Sequence, residues 1–168
     1  AAFAESVERF ANREGEAWLV FTSPAGVRTF FAEMMEQGLD VRNIFRKKAE
    51  VKLAVIGSAT RDALREYGLA TDLMPPVYDS ENLGKALARE AADGSEILIA
   101  RAAQGSKNLI PPLENAGLKV TDLALYETRF LSHGWCREPV LAALKAGEVD
   151  GVIFTSASTV RGFAHEFL

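Results

Sequence analysis

The sequence contains few of the residues that metal sites and disulfides require. One residue of 168 is a cysteine, Cys136, and two are histidines, His133 and His165. A single cysteine excludes an internal disulfide, and these three side chains do not have the spacing of a zinc site. His133 is near Cys136 in sequence, but nothing else indicates a thiol nucleophile. We therefore predict no metal site and a structural or neutral role for Cys136.

The sequence also lacks an excess of basic charge and a long apolar run. It contains 19 Lys and Arg residues and 23 Asp and Glu residues, which give a net charge of −4. No basic run is long enough to follow a phosphate backbone. No stretch approaches the roughly 20 apolar residues that a membrane helix needs, and the first five residues carry no basic charge. These absences predict a soluble cytoplasmic protein that binds neither nucleic acid nor a membrane.

Short apolar runs rich in β-branched residues alternate with segments of helical period, which is the pattern of a parallel sheet with helices on both faces. The five runs before residue 126 predict a doubly wound, five-stranded parallel α/β sheet. A sixth run predicts a strand of a second domain. The six runs are residues 18–21, 53–56, 71–74, 97–100, 120–125 and 151–154.

The predicted strands end in small or hydroxyl residues that are typical of helix starts. Ser23 followed by Pro24 predicts an N-cap with proline at the first helical position. The pair Pro111 and Pro112 predicts that the helix after Ser106 starts late or is kinked.

A receiver domain would need an acidic cluster at these strand ends, and a dinucleotide-binding domain would need G-x-G-x-x-G after the first strand. Neither pattern is found.

One segment is repeated within the chain. Residues 21–30, FTSPAGVRTF, recur as residues 154–163, FTSASTVRGF, with six identities in ten. The repeat predicts two similar domains. Because only five residues follow the second copy, we expect the second domain to be incomplete in this chain.

Six segments in this order and spacing resemble the uroporphyrinogen-III synthase family. They are Phe21-Thr22-Ser23-Pro24, the run from Leu53 to Thr60, the run from Ile97 to Arg101, Gly117 with Val120, Leu125-Tyr126-Glu127-Thr128, and Phe154-Thr155-Ser156. The resemblance implies flavodoxin-like domains: a complete inner domain at 1–126, a linker at 127–130 and a partial outer domain at 131–168. Compared with the family, the chain looks truncated at both ends. It also has Ser58 and Ala157 where the family usually has proline.

The resemblance further implies an activity: closure of the linear tetrapyrrole hydroxymethylbilane to uroporphyrinogen III, with loss of water and inversion of the last pyrrole ring. The substrate is rich in carboxylates, which the helix starts of two domains facing a shared cleft would bind through backbone N–H groups, hydroxyls and helix dipoles. Ordinary helix capping is the alternative role. The expected substrate-binding residues are Thr22, Ser23, Ala25, Gly26, Gly57, Ser58, Thr60, Arg101, Thr155, Ser156, Ser158 and Thr159.

Tyr126 matches the family's tyrosine at the domain junction and is the candidate proton donor, since a phenol is neutral at pH 7. Packing of its ring against the linker is the alternative. Arg101 would pair with a substrate carboxylate or form a surface salt bridge. The second hypothesis for the whole chain is a non-catalytic, synthase-like domain that binds an anionic small molecule. A full-length protein is expected to be a monomer. An incomplete second domain is expected to be mobile or to complete its core by packing against another chain.

Overall fold

The computed structural model describes residues 2–46, 49–129 and 137–167. These residues form two compact units, Ala1–Thr128 and Arg129–Leu168. The first unit alternates strands and helices. Its elements are α1 (Ala2–Ala11), β1 (Gly15–Phe21), α2 (Pro24–Glu36), α3 (Arg42–Arg46), β2 (Ala49–Val55), α4 (Ser58–Arg65), α5 (Ser80–Glu90), β3 (Glu96–Ala102), a 3₁₀ turn (Lys107–Leu109), α6 (Ile110–Asn115) and β4 (Lys119–Tyr126).

The strands of the first unit form one parallel sheet in the order β2-β1-β3-β4. Phe21 at the end of β1 lies opposite Val55 of β2 and Ala100 of β3. The chain winds outward from β1 in both directions, so the predicted doubly wound parallel architecture is confirmed. Helix α1, which precedes the sheet, was not predicted from the sequence.

The prediction of five strands is wrong for the described residues, because the run 71–74 forms only an isolated parallel bridge between Leu73 and Ala54. The N–H of Leu53 donates to the carboxylate of Asp72 at 2.7 Å. Pro75 and Pro76 follow at once and have no N–H to extend a ladder. The flavodoxin-like detail is not confirmed either. Counting the bridge as a strand gives the order 3-2-1-4-5, whereas flavodoxin has 2-1-3-4-5.

Each face of the sheet carries its own apolar core. On one face, Phe21 and Leu19 of β1 pack with Phe30 of α2 and with buried residues of α1, α3 and α4. On the other face, Trp18 and Val20 pack with α5 and α6. Neighbouring residues of β1 thus serve opposite cores, which explains why the strand is almost continuously apolar.

The predicted late helix start after Ser106 is confirmed. Ser106 accepts the N–H of Asn108, a 3₁₀ turn follows, and α6 begins only at Ile110 with proline in its first turn. Gly84 of α5 packs against this turn, and a Cβ there would lie 2.7 Å from the Leu109 carbonyl oxygen. Glycine is therefore required for α5 to approach the turn this closely.

The second unit contains α7 (Arg137–Ala146) and α8 (Ala157–Phe167). The prediction of a strand at 151–154 is wrong. Within the described residues, this segment pairs with no other segment, either in a ladder or in an isolated bridge. Ile153 is 92% exposed and Phe154 39% exposed. A strand is defined by a paired neighbour, and the described part of this unit supplies none. None of the described helices is both long and apolar enough to cross a membrane.

A carboxylate at the amino edge of the sheet ties neighbouring chain segments together. Glu16 of β1 accepts hydrogen bonds from Lys52 Nζ at 2.5 Å, from the Ala92 N–H at 2.8 Å and from Trp18 Nε1 at 2.8 Å. Burial alone would raise the pKa of Glu16, but these hydrogen bonds outweigh it and lower the pKa from 4.5 to about 2.

We expect Glu16→Gln to lower the free energy of unfolding at pH 7 on the order of 2 kcal/mol, allowing for partial exposure of the ion pair. A lowered folded-state pKa stabilises fully above the unfolded value of 4.5 and is lost as the pH falls towards 2. The difference between wild type and variant in urea unfolding should therefore shrink between these pH values. The control is Glu50→Gln, whose exposed carboxylate lies 3.7 Å from Lys52 and should matter little. An equal loss in both variants would contradict this assignment.

Candidate active site

The parallel register brings the candidate residues of the first unit to one edge of the sheet. Phe21, Val55 and Ala100 lie side by side, so Thr22, Ile56 and Arg101 occupy the next level. Tyr126, the last residue of β4, pairs with Ala102. This is the carboxyl edge, where open α/β sheets bind ligands.

Helix α2 begins at this edge with the predicted cap. Ser23 is extended (φ −161°, ψ 155°), and its Oγ accepts the Gly26 N–H at 3.0 Å. Gly26 is buried, and a Cβ there would lie 3.1 Å from the Ala100 carbonyl oxygen. The lack of a side chain thus lets the first turn of α2 lie against β3. Thr22 is half-buried and Ala25 is exposed at the helix start.

A hydrogen bond connects this cap to the candidate proton donor. Ser23 Oγ lies 3.0 Å from Tyr126 Oη, across 103 positions of sequence, and either hydroxyl can be the donor. The backbone of Tyr126 is held as well, because its carbonyl accepts the Ala103 N–H at 2.9 Å. The sequence identified both residues but gave no sign of their contact.

Helix α4 starts beside α2 in a different way. Its N-cap is Gly57, which supplies no side-chain acceptor to the first turn. Ser58 is half-buried, whereas Thr60 is 2% exposed and lies beneath the surface of the edge. The ring of Tyr78 covers Gly57, where a Cβ would lie 3.0 Å from the ring carbons. Tyr78 is itself 55% exposed and was missed in the sequence, because it lies four residues beyond the predicted strand at 71–74, after Pro75 and Pro76.

Arg101 is buried and bound within the protein. It is 3% exposed, and its Nε and Nη2 donate to the two carboxylate oxygens of Asp122 at 2.8 and 2.7 Å. Its Nη1 donates to the Ser106 carbonyl. A guanidinium engaged in this way fixes the loop after β3 and is not presented to a ligand. Of the two roles expected for Arg101, the geometry favours a salt bridge, but the guanidinium is buried and not at the surface as expected.

The candidate residues of the second unit form their own hydroxyl cluster at the start of α8. Ser156 Oγ accepts the Thr159 N–H at 3.2 Å and lies 2.9 Å from Ser158 Oγ. Thr159 Oγ1 donates to the Ser156 carbonyl at 2.7 Å. Thr155 precedes the cluster and is exposed. These hydroxyls cap the helix and remain near its surface.

The sequence repeat is also a repeat of geometry. In α2, Ser23 Oγ accepts the N–H of the residue three positions later, and in α8 Ser156 Oγ does the same. The edge-to-face pair of Phe21 and Phe30, with ring centroids 5.5 Å apart, recurs as Phe154 and Phe163 at 5.3 Å. The helix start and the aromatic pair therefore form one structural unit that each copy of the sequence encodes.

Among the described residues, no group of three His, Cys, Asp or Glu side chains is arranged to hold a metal ion. Cys136 and His133 lie outside the described residues.

Comparison with known proteins gives the family. The family model described as uroporphyrinogen-III synthase HemD matches residues 2–167. The chain belongs to the uroporphyrinogen-III synthase family. It is 32% identical over 146 residues to the porphyrin biosynthesis protein HemD of Ruminiclostridium josui, covering 87% of this chain and 28% of that protein. It is 30% identical over 161 residues to a putative uroporphyrinogen-III synthase of Methanothermobacter thermautotrophicus, covering 95% and 61%.

Solved structures show the same fold. A mutant uroporphyrinogen III synthase from Thermus thermophilus superimposes with a TM-score of 0.65 at 22% identity, covering 98% of this chain and 62% of that one. The wild-type synthase from the same bacterium gives a TM-score of 0.58 at 23% identity, covering 96% and 60%. The chain thus spans less than two thirds of the length of these relatives.

For this synthase-family chain, we expect Asp122→Asn to lower the free energy of unfolding by about 2 kcal/mol, because the buried Arg101 guanidinium loses its counter-charge. Partial exposure of Asp122 keeps the loss below that of a fully buried pair. Urea denaturation measures it. The control is Asp62→Asn, because Asp62 and its partner Arg65 are exposed and its other partner, Arg61, is partly exposed. It should change stability by at most about 0.5 kcal/mol. Unchanged stability in Asp122→Asn would show that Arg101 does not depend on this pair.

Proposed function

We propose that this chain provides catalytic and substrate-binding residues of a uroporphyrinogen-III synthase, which closes hydroxymethylbilane to uroporphyrinogen III with loss of water and inversion of the last pyrrole ring. The observation that carries the proposal is the hydrogen bond between Ser23 and Tyr126 at the carboxyl edge of the sheet. In this proposal Tyr126 is the proton donor, and its hydroxyl lies at the start of α2. Family membership supports the same conclusion.

Substrate carboxylates bind at the helix starts in this proposal. The start of α4 suits an anion, because its N-cap Gly57 supplies no competing side-chain acceptor. Thr22 and Ser58 add hydroxyl donors, and the backbone of Ala25 lies at the exposed start of α2. Gly26 and Thr60 support these two turns from beneath, as Arg101 supports the loop after β3. In the second unit, Thr155, Ser156, Ser158 and Thr159 supply an equivalent helix start.

The chemical steps require one proton donor and a folded substrate. Tyr126 protonates the terminal hydroxyl of the chain, which leaves as water. The electron-poor azafulvene that remains is attacked by the substituted carbon of the last ring, and a spiro intermediate then inverts that ring. Much of the rate comes from holding the reactive ends together. The reaction needs no metal or organic cofactor.

The organisation proposed for the natural protein follows the family. Residues 1–126 are the inner domain, 127–130 the linker and 131–168 part of the outer domain. The full-length protein is a cytoplasmic monomer whose partner is the tetrapyrrole. The alternative is a non-catalytic, synthase-like domain that binds an anionic small molecule.

The decisive assay uses the natural full-length polypeptide with hydroxymethylbilane and measures the ratio of type III to type I uroporphyrin after oxidation of the product. Hydroxymethylbilane closes spontaneously to type I, so we expect an excess of type III only with the protein present. Thr22→Ala should raise KM about fivefold, as for one neutral hydrogen bond, with kcat nearly unchanged. Thr29→Ala, deeper in α2, is its control. Formation of type I alone would leave the binding-domain alternative.

Tyr126→Phe removes the phenolic hydroxyl and keeps the ring. We expect kcat to fall about 100-fold, within the range for a positioned general acid, and KM to change little. Tyr67→Phe is the matched control, because Tyr67 stacks on Phe31 away from the strand ends. A variant with normal kcat would remove Tyr126 from the mechanism while leaving the synthase activity itself intact.

A further inference from the structure

The hydroxyl of Ser23 is shared between a helix and a tyrosine. Its Oγ accepts the Gly26 N–H at 3.0 Å and lies 3.0 Å from Tyr126 Oη. A serine hydroxyl has one hydrogen to donate and two lone pairs with which to accept. One lone pair takes the Gly26 N–H. Both contacts lie within the protein, so Ser23 is poorly suited to bind a substrate carboxylate as well.

The direction of the bond between Ser23 and Tyr126 decides what Tyr126 can do. If Tyr126 donates to Ser23, the phenolic proton points into the protein. If Ser23 donates to Tyr126 Oη, the phenolic O–H can rotate towards a ligand. The helix start favours the second direction when negative charge develops on the phenol, since the Gly26 N–H and the positive end of α2 lie behind Ser23.

We propose that Ser23 is a positioning residue for Tyr126 and not a ligand of the substrate. The chain of donors runs from the Gly26 N–H to Ser23 Oγ, from Ser23 O–H to Tyr126 Oη, and from Tyr126 O–H to the leaving hydroxyl. This inference rests on the proposed synthase activity and changes the role that the sequence suggested for Ser23.

The proton that Tyr126 gives up in the loss of water is returned to it at ring closure. The Tyr126 O–H bond breaks as its proton moves to the terminal hydroxyl of the substrate, whose C–O bond breaks with the electron pair leaving on water. The positive charge left on the tetrapyrrole is delocalised through the pyrrole nitrogen. The phenolate is held by the Ser23 O–H until ring closure, when the proton released by the closing pyrrole returns to Tyr126.

Rigid backbone on both sides makes Ser23 suitable for this role. Gly26 packs against the Ala100 carbonyl, which fixes the start of α2 on β3. The Tyr126 carbonyl accepts the Ala103 N–H, which fixes the end of β4. The two hydroxyls are therefore brought together by the sheet before any ligand arrives, as preorganised catalysis requires.

A double-mutant cycle in the full-length protein tests the inference, with kcat and KM for type III formation as readouts. We expect Ser23→Ala to lower kcat about tenfold with KM changed less than twofold, as for loss of part of general-acid catalysis. In the Tyr126→Phe background the same change should have no further effect on kcat, because Ser23 acts only through the phenol. Ser106→Ala, at a cap serine without a tyrosine partner, should leave kcat within about twofold.

Two replacements separate positioning from simple helix capping. Ser23→Thr keeps the cap and the hydroxyl and should restore kcat to within about threefold. Ser23→Asp keeps the cap but is an acceptor only at pH 7, so its kcat should be as low as that of Ser23→Ala. Recovery of kcat by Asp, or multiplicative effects of Ser23→Ala and Tyr126→Phe, would overturn the inference. A wild-type protein that forms no type III isomer would instead refute the proposed function.

Discussion

Strand β1 is hydrogen-bonded on both sides, and its place in the sheet constrains the candidate site residues of the first unit. Because β2 and β3 both run parallel to it, the ends of three strands meet at one level, and α2 and α4 start there. β1 must then be apolar on both faces, since each face contacts a separate core. The polar residues that follow the strand, Thr22 and Ser23, stand at the first level where the chain leaves those cores.

Two charged clusters hold the ends of this sheet, and they differ in what their charges do. At the amino edge, Glu16 accepts four hydrogen bonds from β1, β2 and the segment before β3. At the carboxyl edge, Arg101 is satisfied by Asp122 and the Ser106 carbonyl. Burying a charge costs free energy unless its partners are complete. The Glu16 cluster therefore fixes the segment before β3, and the Arg101 cluster fixes the loop after β3. The Arg101 cluster also keeps cationic charge away from the surface where anions are proposed to bind.

The sequence predicts what local rules decide and misses what distant partners decide. The four strands, the Ser23 cap and the late start of α6 follow from apolar runs, capping residues and proline. The run 71–74 has the composition of a strand, but its pairing depends on Asp72, whose carboxylate takes the Leu53 N–H. The partner of Arg101 is 21 residues away and that of Ser23 is 103 residues away. No periodicity in a single sequence records such contacts.

The two copies of the repeat share their local contacts but differ in their contacts with distant segments. Both copies have the serine cap and the edge-to-face phenylalanine pair, which involve residues three and nine positions apart. In the first copy Phe21 is fully buried, whereas Phe154 in the second is 39% exposed. The local turn therefore forms with or without neighbouring strands in the described residues, because its hydrogen bonds and ring contact are internal. Burial of the residues before the helix requires a sheet, and within the described part of the chain only the first copy adjoins one. The helix start is thus set by local contacts in both copies, and it is also the part that the proposed chemistry uses.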